Sequence, residues 1–175
     1  MTDPCAIHVE VSNRQELLPI DQERIGAVIR AVLQGEGLAS AIISVGIVDD
    51  PAIHALNVQY LAHDYATDVL SFLLDETDQG PEGEIIVSAE MAARQAPRFA
   101  WRAEDELTLY LVHGALHLLG YDDHDAADAA RMRQKEQFYL ARLGCHRPLP
   151  SESDESAPQE GSADDERTPD RFTDE

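Results

Sequence analysis

Apolar and polar residues alternate along this chain in two periods, one of strands and one of helices. Ile7, Val9 and Val11 alternate with the polar His8 and Glu10, which predicts a strand with one buried face. Ile25, Val28, Ile29, Val32 and Leu33 then recur at helical spacing. Asp21 can cap that helix, and Gly35 and Gly37 end it. Residues 41–48, rich in Ile and Val, predict a buried strand. Asp49, Asp50 and Pro51 mark a helix start, because proline fits the first turn, where its missing N–H costs nothing. Ile53, Leu56, Asn57, Tyr60 and Leu61 share one face of that helix.

A polar break at 63–68 leads into a strand at 69–74. Residues 75–83 are acidic, contain Gly and Pro, show no periodicity and predict a loop, followed by a short strand at 84–87. Ser88 can cap a helix over 89–96 that stops at Pro97. The next helix begins near Ala103, with Glu104, Asp105 and Glu106 at its positive end. Leu109, Val112, Leu116 and Leu119 form its core stripe. A last helix, capped by Asp125 or Asp128, turns Met132, Tyr139, Leu140 and Leu143 inward and closes at Gly144. No internal repeat is visible. This order of elements predicts an α+β fold: a small mixed β-sheet of about four strands covered by about five helices.

From residue 147 the composition shifts to Ser, Asp, Glu, Pro and Gly, which bury too little surface to offset the entropy of ordering. The expected organisation is one metal-binding domain over 1–146 and a disordered, solubilising acidic tail over 147–175. The net charge is −21, and residues 148–175 carry ten acids and two bases of it, so the domain is acidic as well. An acidic domain lacks the basic footprint of a general nucleic-acid binder, so any such role must rest on a local site or on a partner. No apolar run is long enough to span a membrane, and the N-terminus lacks the pattern of a signal peptide. With Cys5 and Cys145 read as free thiols, the expectation is a cytoplasmic protein without a membrane partner.

The chemistry concentrates in residues 113–124. His113 and His117 stand one helical turn apart on one face. Gly120 is a helix stop, and the chain then turns to bring Asp122, Asp123 and His124 within reach of that face. Two ligands from a rigid helix and a third from the returning loop, with a fourth position open to water, make the pattern of a catalytic zinc site. The third ligand is either Asp123 or His124. The zinc-peptidase helix His-Glu-x-x-His has its general base where this chain has Gly114, which speaks against peptide hydrolysis. Thr67, Asp68 and Ser71 form a second polar constellation at the start of an apolar strand. Taken by itself it reads as a local side-chain turn, with Ser71 satisfied by backbone.

Together these stretches resemble the YbeY family of bacterial rRNA maturation factors, metal-dependent endoribonucleases. Residues 113–122 match the family's His-Gly-x-Leu-His-Leu-x-Gly-Tyr-Asp run without a gap. Leu56, Asn57, Tyr60, Asp64 and the stretch 67–72 match its upstream motif, residues 83–88 its Gly-[Asp/Glu]-Ile-x-Ile-Ser strand, and Met132 with Glu136 its last helix. In register, Asp123 falls where the family has its third His, and His124 follows one residue later. Leu61 stands where many members carry an Arg suited to a phosphate contact, and Ala66 and Leu73 replace two prolines.

The resemblance implies one Zn2+ per chain, held by His113, His117 and Asp123 or His124, with Thr67, Asp68 and Ser71 lining the cleft to bind substrate or orient ligands. It implies hydrolysis of phosphodiesters at the 3′ end of 16S rRNA. The partners it implies are rRNA and the small ribosomal subunit, with basic ribosomal proteins as an acidic surface's natural docking site. A non-catalytic assembly factor with a structural metal, and a zinc hydrolase of another substrate, are the rival expectations.

Overall fold

The computed structural model describes residues 6–146. The predicted tail at 147–175 and Cys5 lie outside the described residues; Cys145 is a free, buried thiol. The chain runs β1 (Ile7–Asn13), α1 (Gln22–Gly35), β2 (Ala41–Val48), α2 (Asp50–Leu61), β3 (Val69–Thr77), β4 (Gly80–Ser88), α3 (Ala89–Gln95), a 3-10 turn (Ala96–Phe99), α4 (Ala103–Leu118) and α5 (Ala126–Arg142). This is the α+β fold of four strands and five helices that the pattern predicts. The sheet order is β1-β2-β4-β3. β1 pairs parallel to β2 and β2 parallel to β4, while β3 returns antiparallel to β4 at the edge.

The caps expected at Asp21 and Ser88 form, and Asp49 caps the helix whose start is expected at 49–51. The Asp21, Asp49 and Ser88 side chains accept the backbone N–H of Arg24, Ala52 and Met91. Of the two aspartates at the start of α5, Asp125 is the cap, accepting from Asp128 N at 2.8 Å. Each satisfies a helix-end N–H that the helix itself leaves without a partner.

One expectation fails. Residues 75–83 are not a loop: β3 runs on to Thr77 and β4 begins at Gly80, so all but the turn residues belong to a hairpin. The ladder carries an irregularity between Leu73 and Asp75 and then continues through Glu76↔Pro81 and Thr77↔Gly80. Gly80, at φ +89°, takes a conformation that side-chain-bearing residues rarely adopt.

The main core lies between one face of the sheet and α1, α4 and α5, with Ile29, Leu33, Ile43, Ile85, Leu111, Leu116 and Tyr139 fully buried. α2 covers part of the opposite face over a smaller cluster of Val48, Ile53, Leu70 and Ile86. α4 is the central helix. Its burial exceeds the predicted stripe, because Leu107, Tyr110, Leu111, Ala115 and Leu118 are buried beside Val112 and Leu116.

Gly114 lets α4 lie close against the sheet. A Cβ there would come within 2.8 Å of Ile85 Cγ2 and 3.0 Å of Ser71 Oγ and Val69 Cγ2. The position that carries the peptidase glutamate thus faces packed sheet, with no room for a long acidic side chain.

Candidate metal centre

His113 and His117 project from the C-terminal half of α4, their Nε2 atoms 2.9 Å apart. α4 ends at Leu118 with Leu119 as its C-cap, and Gly120 (φ +90°) turns the chain. Gly120 N donates to His117 O and Tyr121 N to Leu116 O, which closes the helix with a left-handed cap. The returning loop brings Asp123 to the pair. Its Oδ2 lies 3.7 Å from His113 Nε2 and its Oδ1 3.9 Å from His117 Nε2. These three residues form a group able to hold a metal ion. His124 stands apart from the pair: its side chain is 89% exposed, and its Nε2 lies 3.3 Å from Asp122 Oδ1. It belongs to a second, more exposed group with Asp122 and Asp123.

The donor set fits an ion. Tetrahedral bonds of about 2.0–2.1 Å place ligand atoms roughly 3.3 Å apart. The observed separations of 2.9, 3.7 and 3.9 Å bracket that value. Two imidazoles and a carboxylate suit zinc and other borderline divalent ions.

Behind the pair stands a residue with no site role in the sequence reading. Glu136 of α5 accepts from His113 Nδ1 at 2.5 Å. With the Nδ1 proton held there, the Nε2 lone pair is left to face His117 and Asp123. The signal was weak: Glu136 lies one turn beyond the buried Met132 on the same face of its helix. Burial opposes protonation of His113, but the hydrogen bond and charge of Glu136, with the charges of Asp68 and Asp123, outweigh it and raise its pKa. Burial and the neighbouring His113 lower that of His117, against the pull of Asp123.

A cleft of about 420 Å³ opens beside His113, lined by Thr67, Asp68, Tyr110 and Glu136 among others. Thr67 and Asp68 lie on the cleft wall beside His113. Asp68 Oδ1 accepts Val69 N at 2.8 Å and the Thr67 hydroxyl at 3.2 Å. Ser71 acts elsewhere: its hydroxyl donates to the Gly114 carbonyl at 3.0 Å and so ties β3 to α4 between the two histidines. On the cleft floor the buried Glu106 accepts the Trp101 indole N–H at 2.7 Å. Burial and Glu106 push the Tyr110 phenol up, so it stays neutral.

The family model described as Endoribonuclease YbeY matches residues 10–144. The chain belongs to the YbeY family. A protein named Endoribonuclease YbeY from Chloroherpeton thalassium is 38% identical over 141 residues, covering 81% of this chain and 97% of the relative. One of the same name from Pelotomaculum thermopropionicum is 39% identical over 150 residues, covering 79% and 99%. A Thermotoga maritima protein solved in solution shares the fold, with a TM-score of 0.55 at 24% identity, covering 77% of this chain and 88% of that one. Membership of YbeY places the chain among hydrolytic nucleases. Among the described residues no helix is long and apolar enough to cross a membrane. Leu61 ends α2 and is 45% exposed.

Proposed function

We propose that this YbeY member is a zinc-dependent endoribonuclease of rRNA maturation, acting in the cytoplasm at the 3′ end of 16S rRNA in the small subunit. The observation that carries this reading is the meeting of His113, His117 and Asp123, with Glu136 behind His113. Three donors among the described residues, and not four, favour a hydrolytic over a purely structural ion, since a tetrahedral site then keeps one position for a reactant. A bound zinc supplies Lewis acidity, toward water and toward a phosphoryl oxygen.

The chain's own residues supply position and charge. α4 holds both imidazoles on a helix packed into the core. Glu136 fixes the tautomer of His113, so its Nε2 presents a lone pair. Asp123 adds a carboxylate from the loop, which partly neutralises a divalent ion. Thr67 and Asp68 line the wall along which the RNA backbone would lie. The negative cleft, with Asp68, Glu106 and Glu136, repels phosphate where no cation offsets it. Binding of the long substrate would therefore draw on the ribosomal particle and its basic proteins more than on this acidic surface.

The test is to map 16S rRNA 3′ ends in cells depleted of the protein and resupplied with wild type or His117→Ala, with folding checked for the variant. Restoration by wild type alone supports metal-dependent cleavage. Restoration by both makes the metal site dispensable and the protein an assembly factor. Unchanged ends on depletion remove the rRNA reading.

A further inference from the structure

Glu36 lies outside the metal cluster, at the C-terminal end of α1, yet it holds the two segments that complete the site around α4. Its Oε2 accepts the Tyr121 hydroxyl at 2.6 Å. Its Oε1 accepts the Tyr139 hydroxyl at 2.6 Å and the Lys135 ammonium at 2.8 Å. The side chain is only 12% exposed, so these bonds to a charged acceptor are shielded from water. Tyr121 lies two residues before Asp123, and Lys135 immediately precedes Glu136.

The two segments depend on Glu36 to different degrees. α5 is already fixed by Met132, Tyr139 and Leu140, all buried in the main core. The loop at 119–125 contains no fully buried residue. Beyond Tyr121, its Asp123 N–H is satisfied only by the neighbouring Asp122 carboxylate, at 2.7 Å. Leu119 packs against the core where the loop leaves α4; nearer Asp123, the loop is moored by Tyr121, its ring half-buried against the core and its hydroxyl on Glu36.

We infer that Glu36 is a positioning residue of the metal centre: through the Tyr121 hydroxyl it sets the loop that carries Asp123 to the histidine pair. The inference rests on the reading that His113, His117 and Asp123 hold the ion. Tyr121→Phe and Tyr139→Phe make a matched pair of probes. Each removes one hydroxyl from the same carboxylate and leaves its ring in place, but only Tyr121 belongs to the loop.

The experiment measures the zinc dissociation constant of the full-length chain by competition with a chromophoric chelator, alongside the thermal midpoint of the metal-free protein. The variants are Tyr121→Phe, Tyr139→Phe, Glu36→Gln and Asp123→Ala. Groups that orient ligands change metal affinity by roughly 10–100-fold, so Tyr121→Phe and Glu36→Gln are expected to weaken zinc about tenfold and Tyr139→Phe less than about twofold. The two Phe variants are expected to lose similar thermal stability. Equal zinc affinity in the two Phe variants, with Asp123→Ala still weakened, overturns the positioning role alone. Unchanged affinity in Asp123→Ala overturns the ligand assignment beneath it. Should Tyr121→Phe fail to fold, Glu36→Gln against Tyr139→Phe carries the same comparison.

Discussion

Glu136 stands behind His113, its carboxylate on Nδ1, so the ring nitrogen that faces His117 and Asp123 is the one left free to coordinate. Removing the charge while keeping the shape should loosen this arrangement without disturbing the core. Glu136→Gln is expected to weaken zinc binding about 10–100-fold, the range typical of groups that orient a ligand. Isothermal titration with zinc checks this, and unchanged affinity would refute the role given to Glu136.

Asp123 and His124 are neighbours in sequence with different surroundings. Asp123 meets both histidines, while His124 points to solvent beside Asp122. His124→Ala should leave the zinc dissociation constant within about twofold of wild type, since groups that shape a metal site cost at least tenfold when lost. A large loss in His124→Ala would mean that the loop shifts to bring the imidazole in.

Gly114→Ala sets two effects against each other. Alanine favours the helix by roughly 1 kcal/mol over glycine. Its Cβ would meet Ile85 Cγ2 at 2.8 Å, with Val69 and Ser71 only slightly farther away. Overpacking of that kind costs about 1–3 kcal/mol, so the net effect is expected to be destabilising. Urea denaturation at neutral pH measures it, and a more stable Gly114→Ala would show that the sheet yields easily at this contact.

The Glu36 network predicts a pH dependence. Burial raises the Glu36 carboxyl pKa, but the hydrogen bonds from Lys135, Tyr121 and Tyr139 outweigh it and hold the group below its usual 4.5. A folded pKa below the unfolded one means stabilisation that is complete above 4.5 and fades as the pH falls through the folded value. The stability gap between wild type and Glu36→Gln should therefore be constant above that pH and shrink below it. Asp105 and Asp125, whose pKa values are also lowered, titrate in both proteins and cancel in the difference. Denaturant titrations from neutral to acid pH test this; a gap that widens in acid contradicts it.

Leu61 offers a gain-of-function test. It is the last residue of α2 and 45% exposed, so an arginine there meets no core packing. Leu61→Arg is expected to bind a short single-stranded RNA more tightly at low salt. One added phosphate contact should steepen the salt dependence of binding by about one ion. Binding measured across a salt series decides it, and an unchanged slope places this position away from the RNA.

Much of this structure is legible in local chemistry. Helix starts are written in a few side chains, which is why Asp21 and Ser88 can be named as caps, and 49–51 as a helix start, from the sequence. The histidine pair with Asp123 is legible because two histidines one turn apart share a helix face, and a glycine stop followed by Asp-Asp-His returns the chain toward it. The β3–β4 hairpin is hidden because the outer half of β3 is largely exposed on the sheet edge, so Asp75 and Glu76 carry none of the apolar alternation that marks a half-buried strand. The burial of α4 was underestimated because its apolar residues are spread round the helix, and a stripe is informative only when the opposite face is polar. The pairing of Glu136 with His113 joins residues on separate helices, and the contact of Glu36 with Tyr121 bridges 85 positions. Neither leaves a local trace.

The packing of α4 also divides the metal centre by how readily its parts come undone. His113 and His117 sit on a helix enclosed by α1, α3, α5 and the sheet, whose amide hydrogens should exchange only when the whole domain opens. Asp123 rides on a short surface segment that can part from the body while everything else stays folded. On the proposed assignment, two coordination positions thus belong to the most durable part of the molecule and the third to one of its first parts to yield. Exchange of the ion would then run at the rate of that segment's opening, with no need for the protein to unfold.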